Sequence, residues 1–329
     1  MQRKRASDPA LITGIAAVLF LSLPAARSQT ILHQFKGGSK TIELSERGKP
    51  VFTFQIAPKS LEGKYERANY LHPLYDLDGA IVTEDFPADH LHHRGIFWAW
   101  HQVLLNGKPV CDPWVCKDIR WSKPSKNSTT TTVSNGIRKS EMLLVRDWQI
   151  AKPDSDPAKG GTNFLSIVRE SVRITCHPSR ENLRILDFDL GFRALVDGVS
   201  IGGSDDVKGY GGFSPRIRLS DDVKFISQKG EVKAQNTAVE GGAWMNVVRT
   251  LDGKKKSVAI LVHPTHPDFP LKWLLRAKRS MQNPQWPGRE PIALSAEKET
   301  RLRYRLILHT GDLNPERLES LWKEYADGR

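Results

Sequence analysis

"RILDFDLGFRAL", residues 184–195, decides the fold class. Leu186, Phe188, Leu190, Phe192 and Ala194 fall on one side of an extended chain, and Asp187, Asp189, Gly191 and Arg193 on the other. Alternation of this strictness predicts a half-buried antiparallel strand. "RLRYRLILH" (301–309) repeats it, with Leu302, Tyr304, Leu306 and Leu308 opposed to Arg301, Arg303 and Arg305. "SVAILVHP" (257–264) is continuously apolar before its proline and reads as a strand buried on both faces. "NGK" at 106, "SNGIRK" at 134 and "LDGKK" at 251 are hairpin turns. No strand–helix alternation runs along the chain, which argues against a parallel α/β sheet. The expected fold is all-β: one large antiparallel β-sandwich with a short C-terminal helix. That helix starts with Asn314 as cap, Pro315 at the first position and Glu316 at the positive end of the dipole. Leu318, Leu321, Trp322 and Tyr325 give it one apolar stripe to lay on a sheet.

The ends and the composition bound the rest. Residues 1–28 have the anatomy of a secretory signal peptide: basic "MQRKR", an apolar stretch "ALITGIAAVLFLSLP", then Ala26 and Ser28 before a cleavage point. The stretch is short for a membrane span, although an uncleaved anchor is the alternative. The expected mature protein is a single domain, 29–329, periplasmic or secreted, with no membrane insertion once the signal is removed. The formal charge of +12 falls to about +9 without that segment. The basic residues are scattered along strands or, as "GKKK", sit in a turn, so they read as solvated faces and no nucleic-acid partner is expected. Cys111, Cys116 and Cys176 allow one bridge at most, with Cys111–Cys116 the short-loop candidate. The loop "KPDSDPAKGGTN" (152–163) is too short to link domains.

Chemistry concentrates in "DFPADHLHHRGIFWAWHQV", residues 85–103. The part after Gly95 reads as a strand. Alternation would put Phe97, Ala99, His101 and Val103 toward the core, and Arg94, Trp98, Trp100 and Gln102 on a face suited to sugar: flat rings to stack on, polar groups to bind hydroxyls. The plainer reading is that both tryptophans are packing residues. The preceding loop carries His90, His92 and His93, whose imidazoles titrate near neutrality and suit acid–base work, with Asp85 and Asp89 to orient them. The same histidines with His101 could hold a metal, yet no HExxH or paired CxxC spacing is present, and adjacent His92 and His93 would diverge in an extended chain. No cofactor is expected; a metal ion is left open. "GYGGFSPRIRL" (209–219) offers Tyr210 and Arg216 from a glycine-rich turn, which is equally an ordinary β connection. "LVHPTHPDFPLKW" (261–273) adds His263 and His266 after a buried strand. If these three segments meet, they line one cleft.

"YLHPLYDLDGAIVTEDFPADHLHHRGIFWAWHQV" (70–103), "GYGGFSPR" and "YRLILHTGD" resemble an exported bacterial family filed as methane oxygenase PmoA-like. True membrane methane monooxygenase subunits are multi-span helical proteins, so methane oxidation is not expected here. The strand-rich pattern is similar to the galactose-mutarotase-like supersandwich, whose members bind or process carbohydrates. The resemblance implies a histidine acid, from among His90, His92, His93 and His263, and a carboxylate base, for which Glu240 stands beside Asp85 and Asp89. Three functions are consistent with these features. The first is an exported enzyme doing His/Asp acid–base chemistry on a sugar or sugar derivative, as isomerase, lyase or hydrolase. The second is a non-catalytic glycan-binding protein, and the third a His-ligated metal-dependent enzyme. Catalytic candidates are His90, His92, His93, His263 and Asp89; substrate-binding candidates are Arg94, Trp98, Trp100, Gln102, Tyr210 and Arg216.

Overall fold

Strand Leu183–Ala194 sits inside a ten-stranded antiparallel sheet, between Phe164–Cys176 and Thr300–Thr310. This computed structural model describes residues 33–134, 137–152, 163–311 and 313–328. The expected signal segment, the turn at 135–136 and most of the 152–163 loop lie outside the described residues. The register pairs Leu186 with Leu306, Phe188 with Tyr304 and Leu190 with Leu302, so the apolar faces read from the sequence line up side by side. The hairpins at Asn106–Gly107 and Asp252–Gly253 have positive φ at both turn residues, 51° and 76°, then 53° and 71°, as a tight primed turn requires.

A six-stranded sheet, ordered His33–Gly37, Thr41–Glu46, Lys49–Gln55, Tyr70–Leu74, Ile96–Ala99 and Gly212–Pro215, covers one face of the large sheet. Its Phe52, Leu71, Trp98 and Phe213 share one core with Val172, Phe188, Ile260 and Tyr304 of the large sheet. Phe213 stacks on Tyr304 at 4.4 Å across that seam. The opposite face of the large sheet takes the helix Pro315–Ala326: Leu318, Leu321 and Tyr325 pack on Ile185, Leu261 and Ile307. Asn314 caps it, its Oδ1 accepting from the Arg317 amide at 2.8 Å. Strand Lys254–Val262 is therefore buried on both faces, as its unbroken apolar run implies. Among the described residues no helix is long and apolar enough to cross a membrane.

Two charge readings need correction. Arg305 is buried, forked onto Asp187 with its guanidinium over the Tyr325 ring, because the helix covers that end of the strand. Lys256 of the "GKKK" run is also buried, its Nζ 2.5 Å from Asp76 and 3.3 Å from Asp78. The three cysteines are free, so Cys111 and Cys116 are not bridged.

Candidate active site

The strand Ile96–Ala99 has two buried faces, and they lie the other way round from the expected alternation, with Trp98 toward the main core. Trp98 and Trp100 point into the seam between the sheets. The Trp98 indole donates to the carboxylate of fully buried Glu170, which also accepts from Trp148 at 2.8 Å and Asn69 at 2.9 Å. Trp100 donates to the Trp286 carbonyl at 2.9 Å. Neither ring is a sugar platform, because each indole N–H is consumed by a buried acceptor and each face by packing. Phe97 and Ala99 instead join Tyr70, Trp114, Leu274 and Met281 in a small cluster outside the main core, and its Trp114, Leu274 and Met281 line the cavity. The strand is aimed by Gly95, at φ +47°, where an added Cβ would come 2.1 Å from the Leu71 carbonyl oxygen.

The loop ahead of Gly95 is coiled. The amide of His90 donates to Pro87 O at 3.0 Å and that of His93 to His90 O at 2.9 Å, so two successive turns gather the imidazoles that an extended chain would splay. His90 stacks on His93 at 4.6 Å, and His92 stands edge-on to both. Arg216, buried at the rear, donates to Glu84, to both oxygens of Asp89 and to Nδ1 of His93. Burial, then the neighbouring histidines and Arg216, hold His93 down at about 2; burial, then Arg67, holds His92 at about 4. Both rings are therefore neutral, and with Nδ1 accepting from Arg216, His93 carries its proton on Nε2. Burial alone would raise Asp89, but hydrogen bonds from Arg216 and His90 outweigh it and keep that carboxyl at about 2.

Facing this cluster is a hydrogen-bonded series, Asp112–His101–Tyr210, that the sequence does not show as a unit. Nδ1 of His101 lies 2.9 Å from Asp112 Oδ2, and its Nε2 lies 3.2 Å from the Tyr210 hydroxyl. Asp112 can only accept when ionised, so Nδ1 carries the proton and a neutral His101 offers Nε2 as acceptor to the tyrosine. Burial first, then Asp206 and Asp112, raises the Tyr210 pKa, which keeps the phenol protonated. Trp114 packs flat on His101 at 5.4 Å and against Tyr210 at 4.8 Å, fixing both rings. The glycine-rich turn positions Tyr210: its amide donates to Ser204 Oγ and its carbonyl accepts from the Ser204 amide.

These side chains open on one cavity of about 360 Å³, lined by all four histidines 90, 92, 93 and 101, by Trp114 and Tyr210, and by a basic rim. The remaining expected residues lie elsewhere. Arg94 is buried behind the loop, ion-paired to Asp85 and stacked on Phe86, with carbonyls of Tyr65 and Lys59 filling its other donors. Gln102 donates to the carbonyls of Gly203 and Arg289 and does not line the cavity. Arg216 supports from behind. His263 borders a different cavity, with Asp187, Arg303 and Tyr325, while His266 is bound to Tyr304 in the interior. Glu240 is exposed beside Lys229 and Lys272. Asp112 was findable: the Asn106–Gly107 hairpin pairs Val103 with Cys111, which brings Asp112 across from Gln102 and within one position of His101. The rim residues Arg276, Lys278 and Arg279 gave a weaker signal, a basic stretch without an interleaved acid.

Among the described residues no set of three or more His, Cys, Asp or Glu side chains is arranged to hold a metal ion. The rings of residues 90 and 93 stack with that of residue 92 edge-on to both, and Nδ1 is taken on His90 by Asp89 and on His93 by Arg216. Compared with known families, residues 41–323 match the model of a family described as a family of unknown function, DUF6807. No curated protein matches the chain.

Proposed function

We propose that this chain, which belongs to the family of unknown function DUF6807, is an exported enzyme performing acid–base chemistry on a sugar or sugar derivative. The observation that carries the reading is the Asp112–His101–Tyr210 chain opening on a cavity whose floor is aromatic and whose walls are imidazoles. Concave, partly apolar sites with a few convergent polar groups are where small ligands bind. In this reading Asp112 fixes the His101 tautomer, and Tyr210, protonated at neutral pH, donates to a ligand oxygen. His101 passes a proton to or from the phenol, and His90, exposed at the mouth and hydrogen-bonded to Asp89, is a second imidazole within the cavity. His92 and His93 contribute as neutral hydrogen-bonding rings. This moves the catalytic role expected of His93 to His101 and Tyr210.

We further read the two stacked sheets as a supersandwich of the galactose-mutarotase kind, supported by the ten-stranded antiparallel sheet facing a six-stranded one. Nothing of methane oxidation is carried over from the PmoA-like resemblance. A binding-only role is the second reading, favoured by the lack of a carboxylate among the described lining residues. The test is a panel of aldoses, uronic acids and oligosaccharides, followed by chromatography and polarimetry. Turnover of one class is expected, lost in Tyr210→Phe and His101→Asn while binding stays within a few-fold. Binding without product, unchanged in both variants, makes the protein a glycan binder.

A further inference from the structure

We infer that the cavity takes a carboxylated sugar, of the uronic-acid class, with its carboxylate held by the basic segment 276–279. This rests on the sugar reading above and adds the charge of the ligand.

Every formal charge among the lining residues is positive: Lys208, Arg276, Lys278 and Arg279. The carboxylates nearest the imidazoles do not line the cavity and are hydrogen-bonded behind it, Asp89 to Arg216 and His90, Asp112 to His101. Arg276 is fixed by carbonyl oxygens alone, of Gln235 at 2.7 Å, Leu275 at 3.2 Å and Asn236 at 3.4 Å. Carbonyls orient the guanidinium without cancelling its charge. Lys278 and Arg279 are exposed, and among the described residues neither has a hydrogen-bond or ion-pair partner. Lys208 reaches only Asp206, at 3.7 Å, with both side chains well exposed. A partly enclosed wall of one sign raises the local concentration of the opposite ion and repels itself until that ion arrives.

The rim also fixes on which side the anion sits. Lys278 and Arg279 separate the histidine cavity from a second one of about 610 Å³, and that second cavity is lined by Glu84 and Asp221. Those carboxylates repel an anion, whereas the neutral His92 and His93 do not. The carboxylate therefore docks toward the imidazoles, while Trp114, Val115 and Met281 accept the apolar face of the ring. Guanidinium groups suit the planar carboxylate because they can bind it through two parallel hydrogen bonds.

The experiment is calorimetric titration of the full protein with D-galacturonate and D-glucuronate, and with their tri-saccharides, against the matched neutral galactose and glucose ligands. A uronate is expected to bind at least roughly tenfold more tightly than its neutral partner, with the advantage shrinking as salt is added. The variant Lys278→Gln/Arg279→Gln, at exposed positions, should fold normally and lose most of that advantage. Equal binding of neutral and acidic sugars overturns the charge inference and leaves the sugar reading standing. Binding of neither overturns both. A uronate preference untouched by the double variant overturns the assignment to this segment.

Discussion

Arg216 grips Asp89 through two parallel hydrogen bonds, Nη1 to Oδ2 at 3.0 Å and Nη2 to Oδ1 at 2.7 Å. The same Nη1 touches Nδ1 of His93 at 3.3 Å, so one buried cation from the glycine-rich segment sets the shape of the histidine loop. Arg216→Ala would leave the buried face of that loop without its cation, and a loss of about 3 kcal/mol in unfolding free energy is expected. Arg216→Lys keeps the charge but cannot make the fork, so it should recover only part of that loss. Urea unfolding of the three proteins checks this; equal stability of all three would remove Arg216 from its organising role.

Acid should destabilise the fold in a defined window. His92, His93 and His266 are held at about 4, about 2 and about 4, first through burial, against an ordinary value of 6.5. As pH falls below about 6.5 the unfolded chain takes up protons that the folded chain refuses, so stability falls. The slope is up to about 1.4 kcal/mol per pH unit for each such histidine. Asp89 and Glu46, whose folded values are near 2, lose their contribution only further down, as pH drops below about 4 toward 2. Urea midpoints at about pH 7, 6 and 5 should fall steadily, and His93→Gln should flatten the trend. A midpoint constant from about pH 7 to 5 contradicts the neutral imidazoles.

Trp98→Ala is expected to act on stability. It removes a core ring and strips one donor from buried Glu170, whose pKa burial already raises. A cost of about 4 kcal/mol is expected from the cavity alone. Thermal unfolding with and without ligand separates the effects; a variant as stable as the parent but weak in sugar binding would reinstate the exposed platform.

The alternating strands, the primed hairpin turns and the capped helix were legible because each is set by neighbours within a few positions. Leu186 to Ala194 could face only one core, and Asn314 could cap only the helix that begins at Pro315. The histidine loop was legible as chemistry but not as geometry. The placing of its Asp89 and His93 side chains depends on Arg216, far along the chain, and the faces of Trp98 and Phe97 depend on which of two cores is larger. Period two told that the strand has two sides; only the partner sheet told which side was the seam.

Asp112→Asn tests the relay without removing a ring. An amide can donate to Nδ1, which would favour the wrong His101 tautomer and leave Nε2 protonated against Tyr210. Turnover on a productive sugar should fall by about two orders of magnitude or more, with binding within a few-fold. Turnover within a factor of two of the parent would mean that His101 carries no proton.

All of the proposed chemistry requires that the cavity between the histidine loop and Tyr210 receives a sugar. The decisive measurement is a crystal structure after soaking with mixed galactose, glucose, galacturonate and glucuronate. The expected density is one ring over Trp114, an oxygen within hydrogen-bond distance of the Tyr210 hydroxyl, and a carboxylate on the 276–279 segment. A sugar seated instead in the groove beside Phe35 and Tyr75, with nothing near Tyr210, would refute the assignment.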